Sequence, residues 1–207
     1  MEILRLVLGQ MQTNTYIITE GDSAVVVDPS CSAQTILNTA AQKNAKIECV
    51  LLTHAHFDHI GAVAELQRLG AKVYMSALDC GISALNDEFA EFFDIENTVS
   101  FDADAIVKDG DVLMLSGHEY KVIATPGHTP DSVCYILDGR IVFSGDTLFK
   151  MSVGRTDFRY GNVSEMERSL EKLFALKGEY AVLPGHGDAT TLDFERKHNP
   201  YVNRYKK

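Results

Sequence analysis

Four side chains that commonly bind metals fall within six positions, directly after one hydrophobic run. Residues 50–52 (Val-Leu-Leu) have the apolar character of a buried strand. The positions that follow contain His54, His56, Asp58 and His59. Neutral imidazole and carboxylate are the ligands that Zn²⁺ and similar divalent ions prefer. This spacing therefore predicts a metal centre at the end of the strand.

The four side chains are expected to serve two ions. His54 and His56 are two positions apart, so in extended backbone both project to the same side and can hold one ion. Asp58 and His59 open a helical pattern and should point elsewhere, towards a second ion. The local pattern thus favours a dinuclear site.

Size and charge limit the classes of protein to which the chain can belong. With 207 residues, 45% of them apolar, we expect a single domain over residues 1–207 with a full core. The N-terminus lacks the pattern of a secretory signal, and no apolar run reaches the roughly 18 residues of a membrane helix. The net charge of −10 argues against nucleic acid or an anionic membrane as a partner.

The four cysteines are widely spaced and form no Cys-x-x-Cys pair. They are Cys31, Cys49, Cys80 and Cys134. This usage predicts reduced thiols and a cytoplasmic location. Cys49 and Cys134 lie in strand-like runs and are expected in the core; a nucleophilic cysteine is the alternative.

Hydrophobic periodicity predicts strands followed by helices, twice over. In the first half we expect three antiparallel strands (4–8, 16–18, 24–27), a helix (33–42), a strand (47–52), a helical stretch (60–69), a strand (72–75) and a helix (77–85). In the second half we expect strands at 112–115, 120–125, 132–137 and 141–144, a helix at 164–176, a strand at 180–183 and a helix at 192–198. This doubling indicates an α/β (α+β) fold, a four-layer αββα sandwich with two sheets face to face and helices outside. The acidic, aromatic segment 86–101 fits either a mobile cover over the site or a solvated surface segment.

Three further stretches have the layout of strand, glycine turn and ligand-type residue. Gly127 precedes His128, Gly145 precedes Asp146, and Gly185 precedes His186. Glycine is expected where the backbone bends sharply beside a site. These three side chains therefore join the candidate ligands, whereas His118 and His198 are expected to be ordinary surface or structural residues.

The ordered pattern His54-x-His56-x-Asp58-His59, then His128, Asp146 and His186, resembles the metallo-β-lactamase fold superfamily over essentially the whole chain. The resemblance implies the αββα sandwich and two divalent metal ions. It implies that one ion is held by His54, His56 and His128, and the other by Asp58, His59 and His186, with Asp146 as the bridge. Zinc is the expected metal, and iron or manganese are alternatives.

Finer features are similar to the glyoxalase II-like hydrolases. They are Asp58 with the bridging Asp146, and the stretches 145–149, 153–158 and 195–200. The likeness implies hydrolysis of the thioester of a hydroxyacyl thiol such as S-lactoylglutathione, a small-molecule substrate. The C-terminal helical domain with which glyoxalase II helps to hold glutathione is not expected here, and residues 149–155 lack that enzyme's Gly-Cys-Gly.

The expected ligand charges suit attack by hydroxide. Two divalent ions bring four positive charges, and Asp58, Asp146 and a bridging hydroxide bring three negative ones. The remaining charge of about +1 favours an anionic tetrahedral intermediate, and metal binding lowers the pKa of water to about 7. Asp58 is the best catalytic candidate, to orient the hydroxide or to accept its proton.

Other side chains are candidates for substrate binding and for orienting the ligands. Lys150 and Arg155 are expected to face an anionic substrate, and Tyr160 to lend a hydroxyl or a ring. Asp28 and Thr53 could orient imidazoles, although a role as strand-end turn residues fits them equally.

Several other functions remain open at this point. An iron-dependent persulfide dioxygenase would use one ion held by residues matching His54, His128 and Asp146. Lactone or β-lactam opening would use the same hydroxide. Nucleic-acid hydrolysis is disfavoured by the missing basic surface, and a non-enzymatic metal-binding module by the complete ligand set.

Overall fold

The computed structural model describes residues 1–76 and 101–201. The helix predicted over residues 77–85 and residues 86–100 of the acidic, aromatic segment lie outside the described residues. The chain divides into two compact units: unit 1 contains Met1–Val107 and Leu115–Gly117, and unit 2 contains Lys108–Met114 and His118–Lys207. The single domain over residues 1–207 stays a prediction. Within the described ranges, no helix is long and apolar enough to cross a bilayer.

Unit 1 contains a six-stranded mixed sheet in sequential order. Its strands are β1 (Glu2–Leu8), β2 (Thr13–Glu20), β3 (Ser23–Val27), β4 (Lys46–Leu51), β5 (Lys72–Ser76) and β6 (Ala105–Val107). The first three are antiparallel, as predicted. From β3 to β6 the strands pair in parallel, so β3 and β4 end at the same edge of the sheet. Asp28 therefore follows β3 at the edge where the ligand stretch follows β4.

The described residues of unit 1 form three helices: α1 (Ala33–Gln42), α2 (Phe57–Ile60) and α3 (Val63–Arg68). Helix α1 has the predicted bounds and buries Ile36 in a cluster with Val26, Val50 and Leu66. The helical stretch predicted over residues 60–69 is two short helices. A Cβ at Gly61 would lie 2.3 Å from the carbonyl oxygen of Ser30. The chain thus needs glycine here for a close backbone approach, which periodicity does not reveal.

Unit 2 contains a second six-stranded sheet, in the order β14-β13-β10-β9-β8-β7. Its strands are β7 (Val112–Leu115), β8 (His118–Ala124), β9 (Val133–Leu137), β10 (Ile141–Gly145), β13 (Ala181–Pro184) and β14 (Thr190–Thr191). The short strands β11 (Leu148–Phe149) and β12 (Ser152–Val153) form a separate hairpin. Asp138 and Gly139, with φ of 47° and 61°, make the predicted turn between β9 and β10.

Two helices complete unit 2: α4 (Val163–Phe174) and α5 (Leu192–His198). The Asn162 side chain accepts the Glu165 N–H and caps the start of α4. Met166, Leu170 and Leu173 form the buried face of α4, and each buried side chain contributes about 2 kcal/mol. Cys134 in unit 2 and Cys49 in unit 1 are both buried, as expected.

Candidate metal centre

His54 and His56 aim ring nitrogens at a common point in unit 1. Both lie in the irregular segment after β4 and are 2% and 7% exposed. His54 Nε2 and His56 Nδ1 are 3.1 Å apart. Two nitrogens held about 2.0 Å from one tetrahedral zinc ion would lie about 3.3 Å apart. The pair therefore suits one shared ion, as predicted from the spacing.

Asp28 orients two of the imidazoles of unit 1. Its Oδ2 lies 3.0 Å from His59 Nδ1 and accepts the Thr53 hydroxyl at 2.7 Å, while its Oδ1 accepts the Thr53 N–H at 2.8 Å. The Thr53 oxygen lies 3.1 Å from His54 Nδ1. Because an ionised carboxylate only accepts, both rings place their hydrogen on Nδ1 and leave Nε2 as a lone pair. Asp28 and Thr53 thus have the geometry expected of orienting residues.

Asp58 lies in the first turn of α2, beside His59. Its Oδ2 is 3.5 Å from His59 Nε2 and accepts a hydrogen bond of 2.7 Å from the Thr13 hydroxyl. Thr13 begins β2 and is fully buried. Thr13 was not among the predicted site residues. It could have been found from the polar run 13–15 at the start of a strand, which proves to be buried throughout.

Asp146 lies between two imidazoles in unit 2. Its Oδ2 is 3.5 Å from Nε2 of His128 and 3.5 Å from Nε2 of His186. His128 Nδ1 donates to the carbonyl oxygen of Arg155 at 2.8 Å, so its Nε2 is the lone pair. This carboxylate oxygen is close enough to share an ion with either imidazole, and the bridging role of Asp146 stays a prediction.

Strand pairing brings Asp146 and His186 together. Strands β10 and β13 are parallel, with Gly145 beside Pro184, and the Gly185 N–H donates to the Gly145 carbonyl at 2.8 Å. The chain leaves the sheet at the same edge after both strands, and each ligand follows within two residues. Gly145 has a φ of 48°, which agrees with the sharp bend expected there.

Backbone packing fixes the loop that carries His128. A Cβ at Gly127 would lie 2.4 Å from the backbone nitrogen of Met166 at the start of α4. The Ser169 hydroxyl donates to the Pro126 carbonyl at 2.7 Å. A Cβ at Gly154 would lie 1.7 Å from the carbonyl oxygen of Asp146. Glycine at positions 127 and 154 therefore allows close approaches that any other residue would prevent.

The candidate substrate-binding residues are partly or largely exposed. Lys150 Nζ lies 3.4 Å from Asp188. Arg155 makes two hydrogen bonds to Asp157 and lies 4.4 Å from the centre of the Phe158 ring. The hydrogen bond from Arg155 lowers the pKa of the Asp157 carboxyl. An incoming anion would have to compete with this carboxylate, and the substrate roles of Lys150, Arg155 and Tyr160 stay predictions.

The two remaining histidines contact other side chains of unit 2. His118 Nδ1 is 2.7 Å from Asp138 Oδ2 at the start of β8, and His198 packs on Phe194 in α5. Their surroundings fit the structural roles expected of them.

The candidate ligands are imidazoles and carboxylates that follow strands, and the mixed sheets are flanked by helices. This combination is typical of a class of metal-binding proteins. The metallo-beta-lactamase superfamily matches residues 8–186, and the chain belongs to this superfamily. The expected fold class, two sheets with flanking helices in the metallo-β-lactamase fold, is thereby confirmed.

Similar proteins match over nearly their whole length. Hydroxyacylglutathione hydrolase GloC of Haemophilus influenzae is 31% identical over 198 residues, which cover 93% of each protein. The crystal structure of BLEG-1, described as a B3 metallo-beta-lactamase, has a TM-score of 0.89 and 33% identity, and the match covers 97% of this chain and 99% of that one. The protein TTHA1623, solved in a di-iron-bound form, has a TM-score of 0.84 and 34% identity over 96% and 99% of the two chains.

Proposed function

We propose that the protein is a dinuclear metallohydrolase that cleaves the thioester of a hydroxyacyl thiol such as S-lactoylglutathione. The observation that carries the proposal is Asp146 Oδ2, which lies 3.5 Å from both His128 Nε2 and His186 Nε2. A carboxylate at the bridge, together with Asp58, is similar to the glyoxalase II branch. The similarity to hydroxyacylglutathione hydrolase GloC over 93% of both proteins supports the same substrate class.

In this proposal seven side chains hold two ions. His54, His56 and His128 hold the first ion, Asp58, His59 and His186 hold the second, and Asp146 serves both. The donor atoms are imidazole nitrogens and carboxylate oxygens, which suit zinc, iron and manganese alike. Zinc remains our proposal for the metal, and the di-iron form of TTHA1623 supports iron as the alternative.

The residues of the chain would divide the work of hydrolysis. When bound, two divalent ions polarise the thioester carbonyl and lower the pKa of water to about 7. Asp58, held by the Thr13 hydroxyl, accepts the proton from the attacking water. The Arg155 carbonyl keeps the hydrogen of His128 on Nδ1, so Nε2 stays a ligand. Lys150 and Arg155 attract carboxylates on the thiol portion of the substrate. The proposed partner is this small-molecule thioester, and we propose no nucleic-acid or membrane partner.

The test is thiol release by metal-loaded protein. We expect protein carrying two ions per chain to release free thiol from S-lactoylglutathione and from related hydroxyacyl thioesters, followed with a thiol reagent. The metal-free protein is the matched control. A fully loaded protein that releases no thiol from any member of the panel would contradict the proposal.

The alternative reaction, an iron-dependent persulfide dioxygenase, is distinguished by the same preparation. It predicts activity with a single iron and oxygen uptake with glutathione persulfide. The iron bound by TTHA1623 is the observation that favours this alternative reaction. Oxygen uptake without thioester cleavage would decide for the dioxygenase, and thioester cleavage by the zinc form would decide against it.

A further inference from the structure

Glu195, on the last helix of unit 2, is a fully buried carboxylate. Its Oε1 accepts the Thr190 hydroxyl at 2.6 Å, and its Oε2 accepts the Met151 N–H at 2.9 Å and the Asn199 amide at 2.8 Å. All three donors are uncharged. Burying a carboxylate is costly unless hydrogen bonds replace those it made with water, and these three donors supply them. The carboxylate is therefore placed for its hydrogen bonds rather than for packing.

One of those hydrogen bonds, that from the Met151 N–H, ends on the tip of the hairpin formed by β11 and β12. We call residues 148–155 the hairpin loop. Glu195 holds the N–H of Met151, a residue with a φ of 59°, and Asn199 Nδ2 donates to the Ser152 carbonyl at 3.1 Å. Two adjacent backbone groups at the tip are thus fixed by Glu195 of α5 and by Asn199, the residue that follows this helix. The left-handed backbone at Met151 costs energy in a non-glycine residue, and these hydrogen bonds help to hold it.

The same loop touches all three ligand residues of unit 2. The Arg155 carbonyl accepts the Nδ1–H of His128. Gly154 packs against the backbone of Asp146, and the Phe149 ring lies 6.1 Å from the ring of His186. Lys150, at the tip, lies directly before the residue that Glu195 holds. A displacement of the tip would therefore move both the predicted anion-binding lysine and the backbone that sets the tautomer of His128.

We infer that Glu195 and Asn199 are positioning residues: they fix the hairpin loop so that Lys150 meets the anionic portion of the substrate and the Arg155 carbonyl holds His128. The inference rests on the proposed function for its substrate and gives the stretch 195–200 a physical role. It does not extend to Arg196. That guanidinium donates to the carbonyls of Phe174, Leu176 and Gly178 after the end of α4, and so fastens one helix to another.

The experiment compares Glu195→Leu and Asn199→Ala with Arg196→Ala, all as metal-loaded full chains. Leucine at 195 fills similar space but removes the acceptor of the Met151 N–H, and alanine at 199 removes the hydrogen bond from the Asn199 amide to the Ser152 carbonyl. Hydrogen–deuterium exchange measures the peptide over residues 148–155. We expect exchange there about 10-fold faster in both loop variants, with β10 unchanged. Arg196→Ala should lower the Tm and leave exchange in the loop as in the wild type.

Kinetics supply the second measurement. The KM for S-lactoylglutathione should rise about 5- to 10-fold in both loop variants, while the KM for the lactoyl thioester of neutral N-acetylcysteamine changes less than 2-fold, because only the former has carboxylates for Lys150. Unchanged loop exchange in both variants would overturn the inference, as would a rise in exchange spread evenly across unit 2. Equal KM changes for the two substrates would overturn the role of Lys150. If the wild type cleaves neither thioester, the proposed function fails, and the exchange data still decide whether Glu195 and Asn199 hold the loop.

Discussion

Units 1 and 2 fix their ligands by different means. In unit 1 the four candidate ligands lie within residues 54–59, and side chains orient them, chiefly Asp28. In unit 2 the three ligands come from three separate loops, and backbone groups orient them, such as the Arg155 carbonyl and the close approach at Gly154. Clustered ligands can share one orienting carboxylate, whereas dispersed ligands depend on how segments pack. Removal of an orienting side chain should therefore have its main effect on metal binding in unit 1. Addition of a methyl group at a close backbone approach should have its main effect on the stability of unit 2.

Asp146, the proposed bridging residue, is the exception to this contrast, and its removal should have the largest effect. Asp146→Ala should lower metal affinity at both sites by more than about 100-fold and abolish hydrolysis, since even the loss of a partner behind a ligand costs 10- to 100-fold. Elemental analysis and metal titration measure this. The control is Asp193→Ala, which removes an exposed carboxylate paired with Lys197. Two metals still bound per chain in Asp146→Ala would rule out the bridge.

The backbone approach in unit 2 is tested by Gly154→Ala. The new Cβ would lie 1.7 Å from a backbone oxygen that cannot rotate away, so we expect a loss of about 3 kcal/mol in the free energy of unfolding. Denaturant unfolding measures it. Gly139→Ala is matched within unit 2: it has nothing within 4 Å and a φ of 61°, and should cost only about 1 kcal/mol. Similar losses in the two variants would remove the packing argument.

The orienting carboxylate of unit 1 is tested by Asp28→Asn. The amide would offer hydrogens where His59 Nδ1 and the Thr53 hydroxyl now donate, so we expect metal affinity to fall about 10- to 100-fold. Metal titration of the purified variant checks this. Asp138→Asn changes a second Asp–His pair, that with His118 near the surface, and should leave affinity unaltered. Wild-type affinity in Asp28→Asn would show that unit 1 does not depend on this side chain.

The smallest expected effect concerns the strand that precedes the ligand stretch of unit 1. Burial, reinforced by the charge of Glu48, raises the pKa of the Cys49 thiol to about 11 from 9.0. The folded state favours the neutral thiol, so this contribution to stability is complete below pH 9 and is lost as the pH rises towards 11. The free energy of unfolding should therefore fall more steeply over that range in the wild type than in Cys49→Ala. Parallel curves would show that the thiol does not titrate with folding.

Most regular elements could be predicted because their patterns are local. The bounds of α1 and α5 were predicted to the residue, since an amphipathic face repeats within one helix. The break between α2 and α3 could not be, because Gly61 owes its role to Ser30 on another segment. The short strands β11, β12 and β14 also escaped prediction, since two residues carry no period.

The residues of the candidate site also divide into those that the sequence indicated and those that it did not. The ligand types and their order indicated a metal centre, and Asp28 was a candidate because it ends a strand. The roles of Thr13 and Glu195 were missed, since their partners Asp58 and Met151 lie 45 and 44 residues away along the chain. The role of Gly154 was missed because a close approach of two backbone segments leaves no pattern in the sequence. The carboxylate partner of Arg155 is close in sequence, but opposite charges two residues apart do not always pair.

The parallel pairing of β10 with β13 sets the spacing of Asp146 and His186 independently of the chain that connects them. The connecting stretch before α4, residues 156–161, can therefore lengthen, shorten or exchange its side chains without disturbing those two ligands. Substrate specificity could therefore change in evolution while the positions of these two side chains stay the same.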